Sequence, residues 1–219
     1  MKKEIENLAA RSLYETNNRI QEHDACGIGF VADVHGRPSR RVLDLVINAL
    51  CHVMHRGAIN SDGLTGDGAG VLIPLTPKLA PEGGLAMVFA FDESELGVVE
   101  RACEAEGIGF AGWREVPVDP SRLGERGRST QPKIMQARLA PPAGLDSEAI
   151  ELAAIRARKR VERETSGLYV ASFSFRTVTY KALCAANQLA GFYLDLADPE
   201  LEIPFGIFHQ RFATNTSPT

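Results

Sequence analysis

The chain has 219 residues, 44% of them hydrophobic and 24% charged, which is enough to bury one apolar core and fits one domain better than two. Its formal net charge of -4, with no long basic block and few aromatics among the basic residues, argues against an electrostatic nucleic-acid surface. No run approaches the roughly 18 apolar residues of a membrane span, and Glu4, Glu6, Arg11, Glu15 and Arg19 break up any secretory core after Met1-Lys2-Lys3, so a soluble, cytoplasmic protein is expected.

In chain order, residues 1–25 read as a charged, weakly amphipathic leader. Cys26 to Asp33 alternates small and apolar residues like a buried strand, and Gly36-Arg37-Pro38 turns the chain. Ser39 is placed to cap a helix. Val42, Leu43, Val46, Ile47, Leu50, Val53 and Met54 recur at helical spacing up to Arg56-Gly57, where the glycine marks the end. A glycine-rich loop, 60–70, leads to a strand over Val71–Ile73 that Pro74 ends. A strand at Leu85–Phe91, a helix over Asp92–Glu106 and a strand at Ile108–Val116 follow. Residues 117–132 read as loop and Ile134–Leu139 as strand. After Pro141-Pro142 come a helix from about Asp146 to Glu164 and a strand at Leu168–Phe175. A helix over Lys181–Leu194 and a last strand at Phe205–Phe212 complete the pattern. The mixed order, with no strict βαβ repeat, indicates an α+β fold. The basic run Arg156, Arg158, Lys159, Arg160 and Arg163, flanked by Glu151, Glu162 and Glu164, reads as a solvated helix face.

Three segments carry chemistry. Cys26 is followed by Gly27-Ile28-Gly29-Phe30; alone, such a cysteine reads as a packed residue. The other cysteines, Cys51, Cys103 and Cys184, are widely spaced and form no C-x-x-C pair, which argues against a disulfide framework or a cysteine-built zinc site and for small buried hydrophobes. His55-Arg56-Gly57-Ala58 is followed by Asp62 and by Thr65-Gly66-Asp67-Gly68-Ala69-Gly70. This glycine loop lacks the lysine of a P-loop, so a nucleotide cradle is a poor reading. In His209-Gln210-Arg211-Phe212-Ala213-Thr214-Asn215-Thr216, an arginine at the end of an apolar strand suits bidentate binding of a carboxylate. His52, His55 and His209 read as structural groups, and no metal is expected.

In these segments, DACGIGFVA, HRGAINSDGLTGDGAG and FHQRFATNTSPT, the chain resembles the class II glutamine amidotransferase domain of glutamate synthase; QPKIMQARL and YKALCAANQLAGFYLDL agree as well. The resemblance runs from about Asp24 to Thr219. It implies an N-terminal-nucleophile (Ntn) hydrolase fold, a four-layer αββα sandwich incomplete at the C-terminus. Residues 1–25 would be a propeptide and 26–219 the amidotransferase domain, cut before the segment that supplies the oxyanion hole.

The resemblance further implies that Cys26 is the nucleophile that hydrolyses L-glutamine. Arg211 would hold the substrate carboxylate with Thr214 nearby, Arg56 would line the site, and Asp67, Gly68 and Gly70 would form the loop packed beside it. It implies no cofactor on this chain, and FMN and an iron–sulfur cluster in the full-length enzyme. The implied partners are a synthase domain and a small electron-transfer subunit or ferredoxin. Two alternatives are another class II enzyme such as amidophosphoribosyltransferase, and a truncated chain inert as a catalyst. Ala213 and Ser217 depart from the family's usual serine and aromatic at those places.

Overall fold

The structure is a computed structural model that describes residues 27–57 and 65–210. Its elements are β1 (Gly27–Ala32), α1 (Arg40–His52), β2 (Ala69–Pro74), β3 (Gly84–Ala90), α2 (Gly97–Ala105), β4 (Gly109–Glu115), α3 (Glu125–Ser129), β5 (Lys133–Ala140), α4 (Ser147–Glu164), β6 (Leu168–Ser174), β7 (Thr177–Ala182), the single turns α5 (Leu189–Phe192) and α6 (Leu194–Ala197), and β8 (Phe205–Gln210).

The strands form two four-stranded antiparallel sheets, ordered β1-β8-β2-β7 and β4-β5-β3-β6. Helices α2 and α4 cover one face of the second sheet, where Ala86, Val88, Ala137, Leu139 and Val170 meet Val99, Ala102, Cys103, Ala154 and Ala157. The opposite face of that sheet sends Leu85, Met87 and Ile134 into a larger core shared with Val71, Ile73, Val178 and Tyr180 of the first sheet and with Val42, Leu43, Val46 and Leu50 of α1. This is the expected α+β organisation, and the paired antiparallel sheets with packed helices are consistent with the Ntn-hydrolase type. Among the described residues nothing covers Ile28, Phe30 and Ile207 on the other face of the first sheet; they are 68%, 75% and 39% exposed.

Local chemistry explains the elements that position the site. Ser39 caps α1, its hydroxyl accepting the Val42 N–H at 3.4 Å. The buried Val42, Leu43, Val46 and Leu50 lie on one helical stripe and seat α1 on β1 and β8. Gly206 of β8 permits this approach, since a Cβ there would stand 2.8 Å from a Val46 methyl. The helix stops at His52, and a 3-10 turn over Met54–Arg56 delivers Gly57 in an extended conformation. At the other end of the chain's long helix, Asp146 caps α4 by accepting from the Glu148 and Ala149 N–H groups. Its basic run is solvated and laced by Arg158–Glu162, Lys159–Glu162 and Arg160–Glu164 pairs, as the flanking acids suggested.

Three expectations need correction. The helix expected over Lys181–Leu194 starts instead as a strand. Thr177–Ala182 pairs with β2 along its whole length because Val178 and Tyr180 alternate into the core. The alanine- and leucine-rich stretch after it has helical propensity, but Tyr193 is extended and splits it into two single turns. The loop expected over 117–132 holds a 3-10 turn, Pro120–Arg122, capped by Asp119 with proline at its start, and then α3. The helix expected over Asp92–Glu106 is a 3-10 turn, Glu93–Glu95, followed by α2.

A buried polar network joins the two sheets. The Arg114 guanidinium of β4 donates to Asp195 of α6 through Nη1 at 2.8 Å and Nη2 at 2.5 Å, and to Gln136 Oε1 of β5 at 2.7 Å. The Tyr180 hydroxyl of β7 donates to Asp195 Oδ2 at 3.0 Å. Burial, and then the Asp195 charge, hold the Tyr180 phenol well above its usual range.

Cys103 and Cys184 are fully buried, and burial pushes each thiol up from 9.0 to about 12. A raised folded pKa favours the protonated thiol in the native state. Its contribution is therefore complete below pH 9 and is lost as pH rises toward 12. Stability should fall by about 1 kcal/mol per thiol between pH 9 and pH 10, measurable as a drop in the urea midpoint. Cys103→Ala and Cys184→Ala variants should show a shallower decline.

Candidate active site

One end of the first sheet gathers the sequence motifs. Strand β8 runs between β1 and β2, and its last residue, Gln210, is the cross-strand partner of Gly27 on one side and of Ala69 on the other. Gly27 and Gln210 are the sequence neighbours of Cys26 and Arg211. The predicted residues Cys26, Arg211 and Thr214 lie outside the described residues.

The Arg56–Gly57 turn packs onto this end. A Cβ on Gly27 would stand 3.0 Å from Val53 Cβ and 3.3 Å from Arg56 Cβ, so glycine lets the start of β1 lie close under the turn. A methyl on Gly57 would overlap Gln210 Nε2 and lie 3.1 Å from its Cγ and Cδ. Arg56 is exposed and forms no ion pair among the described residues. Its charge is available beside Gly27.

The glycine loop enters from the β2 side. A Cβ on Gly66 would stand 2.7 Å from the Cys184 carbonyl oxygen, a backbone neighbour with little room to yield. Gly68 has φ +114, a conformation that favours glycine. Asp67 is half-buried and Gly68 and Gly70 are buried, with Gly70 opposite His209 and Lys181. Arg56, through its approach to Gly27, and the Asp67–Gly70 loop, through the pairing of Ala69 with Gln210, thus reach the same sheet end from opposite sides of β8.

The histidines behave as structural groups. His52 Nδ1 lies 2.8 Å from the Asn48 carbonyl oxygen and His55 Nδ1 lies 3.1 Å from that of His52, each capping the end of α1. Burial holds the His209 ring below its ordinary imidazole value, which favours its neutral form. Lys181 donates to the Tyr169 hydroxyl, and its ammonium sits 4.0 Å from that ring's centroid. Among the described residues no three His, Cys, Asp or Glu side chains gather as a metal-ligand group.

Sequence reasoning missed the parts played by Gly57 and Gln210. The available signal was alternation: Gly206, Phe208 and Gln210 share one face of β8, so a glutamine occupies a core position.

With this geometry in place, comparison with known proteins is specific. Residues 26–219 match the family described as Glutamine amidotransferases class-II. The chain is 37% identical to the glutamate synthase (NADPH) large chain of Azospirillum brasilense, over 97% of this chain and 16% of that protein. It is 35% identical to the glutamate synthase (NADPH) large chain of Bacillus subtilis, over 90% of this chain and 14% of that protein. It is 34% identical to the ferredoxin-dependent glutamate synthase 2 of Synechocystis, over 91% and 14%. The chain therefore spans about one sixth to one seventh of the length of these relatives.

Proposed function

Because this chain belongs to the class II glutamine amidotransferases, we propose that it is the glutamine-hydrolysing part of a glutamate synthase and that Cys26, once it begins the chain, is its nucleophile. The observation that carries this reading is the convergence of Gly27, Arg56-Gly57, the Asp67–Gly70 loop and Gln210 at one end of the first sheet.

The chemistry follows from an N-terminal aminothiol. A cysteine thiol has a pKa of roughly 8.5 and is mostly protonated at neutral pH. A free α-amino group, with a pKa of roughly 7.7–8.0, takes that proton and replaces a catalytic histidine. The thiolate attacks the side-chain amide carbon of glutamine. The tetrahedral intermediate collapses, the amine proton goes to the leaving nitrogen, and ammonia departs to leave a thioester on Cys26 Sγ. Water then hydrolyses the thioester, releasing glutamate and restoring the thiol. While Ala25 is still bonded to Cys26 there is no free amine, so removal of residues 1–25 switches the site on. Arg211 binds the glutamine carboxylate, Thr214 lies near it, and Arg56 adds positive charge beside the start of β1.

In the parent enzyme the ammonia passes to a synthase domain and aminates 2-oxoglutarate in the cytoplasm, with two electrons supplied by a nicotinamide-linked subunit or a ferredoxin. Such chemistry uses FMN and an iron–sulfur cluster, and the cysteines of the described part of this chain do not fit the ligand set of the cluster. Cys103 and Cys184 sit in separate apolar cores, and no cluster of ligating side chains is present among the described residues. In this proposal both groups are held elsewhere in the parent protein.

Glutamine labelled with 15N in its amide tests the reading. Incubated with the full-length protein, 2-oxoglutarate and a reductant, it should yield newly made glutamate labelled at the α-nitrogen. Labelled ammonia with no label in new glutamate would limit the protein to hydrolysis, and no release of label at all would reject the proposal.

A further inference from the structure

We propose that a cleft lined by Lys78, Arg114, Arg138 and Asp198 binds a small aliphatic α-amino acid as its zwitterion. None of these residues belongs to the candidate active site, and the inference is independent of the reading of Cys26. The cleft lies where the segment before β3, strands β4 and β5, and the chain after α6 meet, and its volume is about 190 Å³. A cavity of about 150 Å³ takes a benzene molecule, and drug-sized ligands need about 300 Å³ or more, so the occupant is the size of valine. Leu79, Pro81 and Leu201 give the cleft an apolar lining that suits an aliphatic side chain.

The carboxylate end is set by Arg138. Ala137 and Leu139 of β5 face α2 and α4, so alternation turns Gln136 and Arg138 to the opposite face of the sheet. Arg114 of β4 is the cross-strand partner of Gln136, and Gly112 is that of Arg138. The two arginines are therefore diagonal neighbours on one face, about 7–8 Å apart, where their like charges repel. Asp195 neutralises Arg114 through two hydrogen bonds. Arg138 has a long ion pair to Glu82, Nη1 to Oε1 at 3.5 Å, and its Nε and the Glu82 Oε2 are buried without hydrogen-bond partners among the described residues. A guanidinium carries five N–H donors, so Arg138 retains donors for a second carboxylate. The backbone departs from regularity at the same point. The register of β4 against β5 shifts between Phe110 and Gly112, opposite Leu139 and Arg138, and Gly112 has φ +118. Such bulges re-aim side chains and concentrate next to active sites.

The ammonium end is set by Asp198. Its Oδ2 is 2.6 Å from Lys78 Nζ, and its Oδ1 accepts the Glu200 N–H at 2.9 Å. A carboxylate has about four lone-pair sites, so Asp198 can accept from an ammonium as well. Lys78 is shared between Asp198 and Glu200, and its charge is already compensated. A simple anion in the cleft would meet the carboxylates of Asp195 and Asp198, and a simple cation would meet three basic groups. A zwitterion satisfies both signs.

The test is calorimetric titration of the full-length protein with L-valine, with isovalerate, which lacks the ammonium, and with isobutylamine, which lacks the carboxylate. L-valine should saturate one site per chain with a Kd near about 1 mM, and each analogue should bind at least about 10-fold more weakly. Arg138→Gln should weaken L-valine at least about 10-fold and leave glutamine hydrolysis measured without valine at the wild-type rate. Where that variant does not fold, Arg138→Lys keeps the charge, loses the planar fork and should show the same loss. Hydrogen exchange of the wild-type protein locates the site without any variant, because bound valine should protect amides within 76–81 and 195–201. No saturation by about 20 mM L-valine would overturn the assignment. So would isovalerate binding as tightly as L-valine, binding without protection in those two segments, or unchanged affinity in the Arg138 variant.

Discussion

Replacing Cys26 with serine in the full-length protein should lower glutamine hydrolysis by about 10³-fold or more. The exchange changes one atom and leaves the side chain's length and hydrogen-bonding capacity almost intact, so its effect reads out the sulfur's nucleophilicity. A hydroxyl is far less acidic than a thiol, and an amine of pKa near 8 has little power to ionise it. The same enzyme supplied directly with ammonia, 2-oxoglutarate and reductant should still form glutamate, because that chemistry does not use the thiol. Loss of both activities together would point to a structural defect instead. The rate is measured as ammonia released from glutamine.

A second large effect is expected far from this site. Asp195→Ala should lower the stability of the domain by about 3 kcal/mol. Asp195 is nearly buried and accepts from two nitrogens of Arg114 and from the Tyr180 hydroxyl. Its removal leaves a half-buried guanidinium and a fully buried hydroxyl without their acceptor, and the penalty is the desolvation of those groups. Arg114→Met added to Asp195→Leu should recover much of the loss, because both charges then disappear together. Tyr180→Phe alone should cost about 1 kcal/mol. Hydrogen exchange of the β5 and β7 amides, compared between variants, reports the opening free energy. An Asp195→Ala change below about 0.5 kcal/mol would show that the network holds nothing together.

The difference between these two sites mirrors what was legible in the sequence. Spacing and apolar runs exposed most strands and the principal helices: the apolar residues of α1 repeat at the helical period, and the unbroken apolar run of β3 marks a strand buried on both faces. Ser39 marked the start of α1 by its capping chemistry, and the helix expected from about Asp146 begins where that residue caps α4. The stretch after Thr177 misled because its alanines and leucines favour a helix, while the deciding fact, pairing of β7 with β2 about a hundred residues away, is tertiary. The Arg114–Asp195–Tyr180 network was hidden for the same reason, since its members come from separate elements and no motif links them.

At the candidate site, motif resemblance identified the segments, and the fold explains why they belong together. Two antiparallel pairings to β8 bring Gly27 and Ala69 to either side of Gln210, and the glycine at 57 lets the Arg56 turn settle on the same spot. Alternation along β8 places Gln210 on the core face, but that its amide is unpaired becomes visible only with neighbours in place.

The most direct measurement is mass spectrometry of the full-length protein after reaction with a glutamine-analogue electrophile. The expected product is a polypeptide whose first residue is Cys26, carrying one equivalent of label on that sulfur. A polypeptide that keeps residues 1–25 and still hydrolyses glutamine at full rate, or one labelled at any other residue, would contradict it.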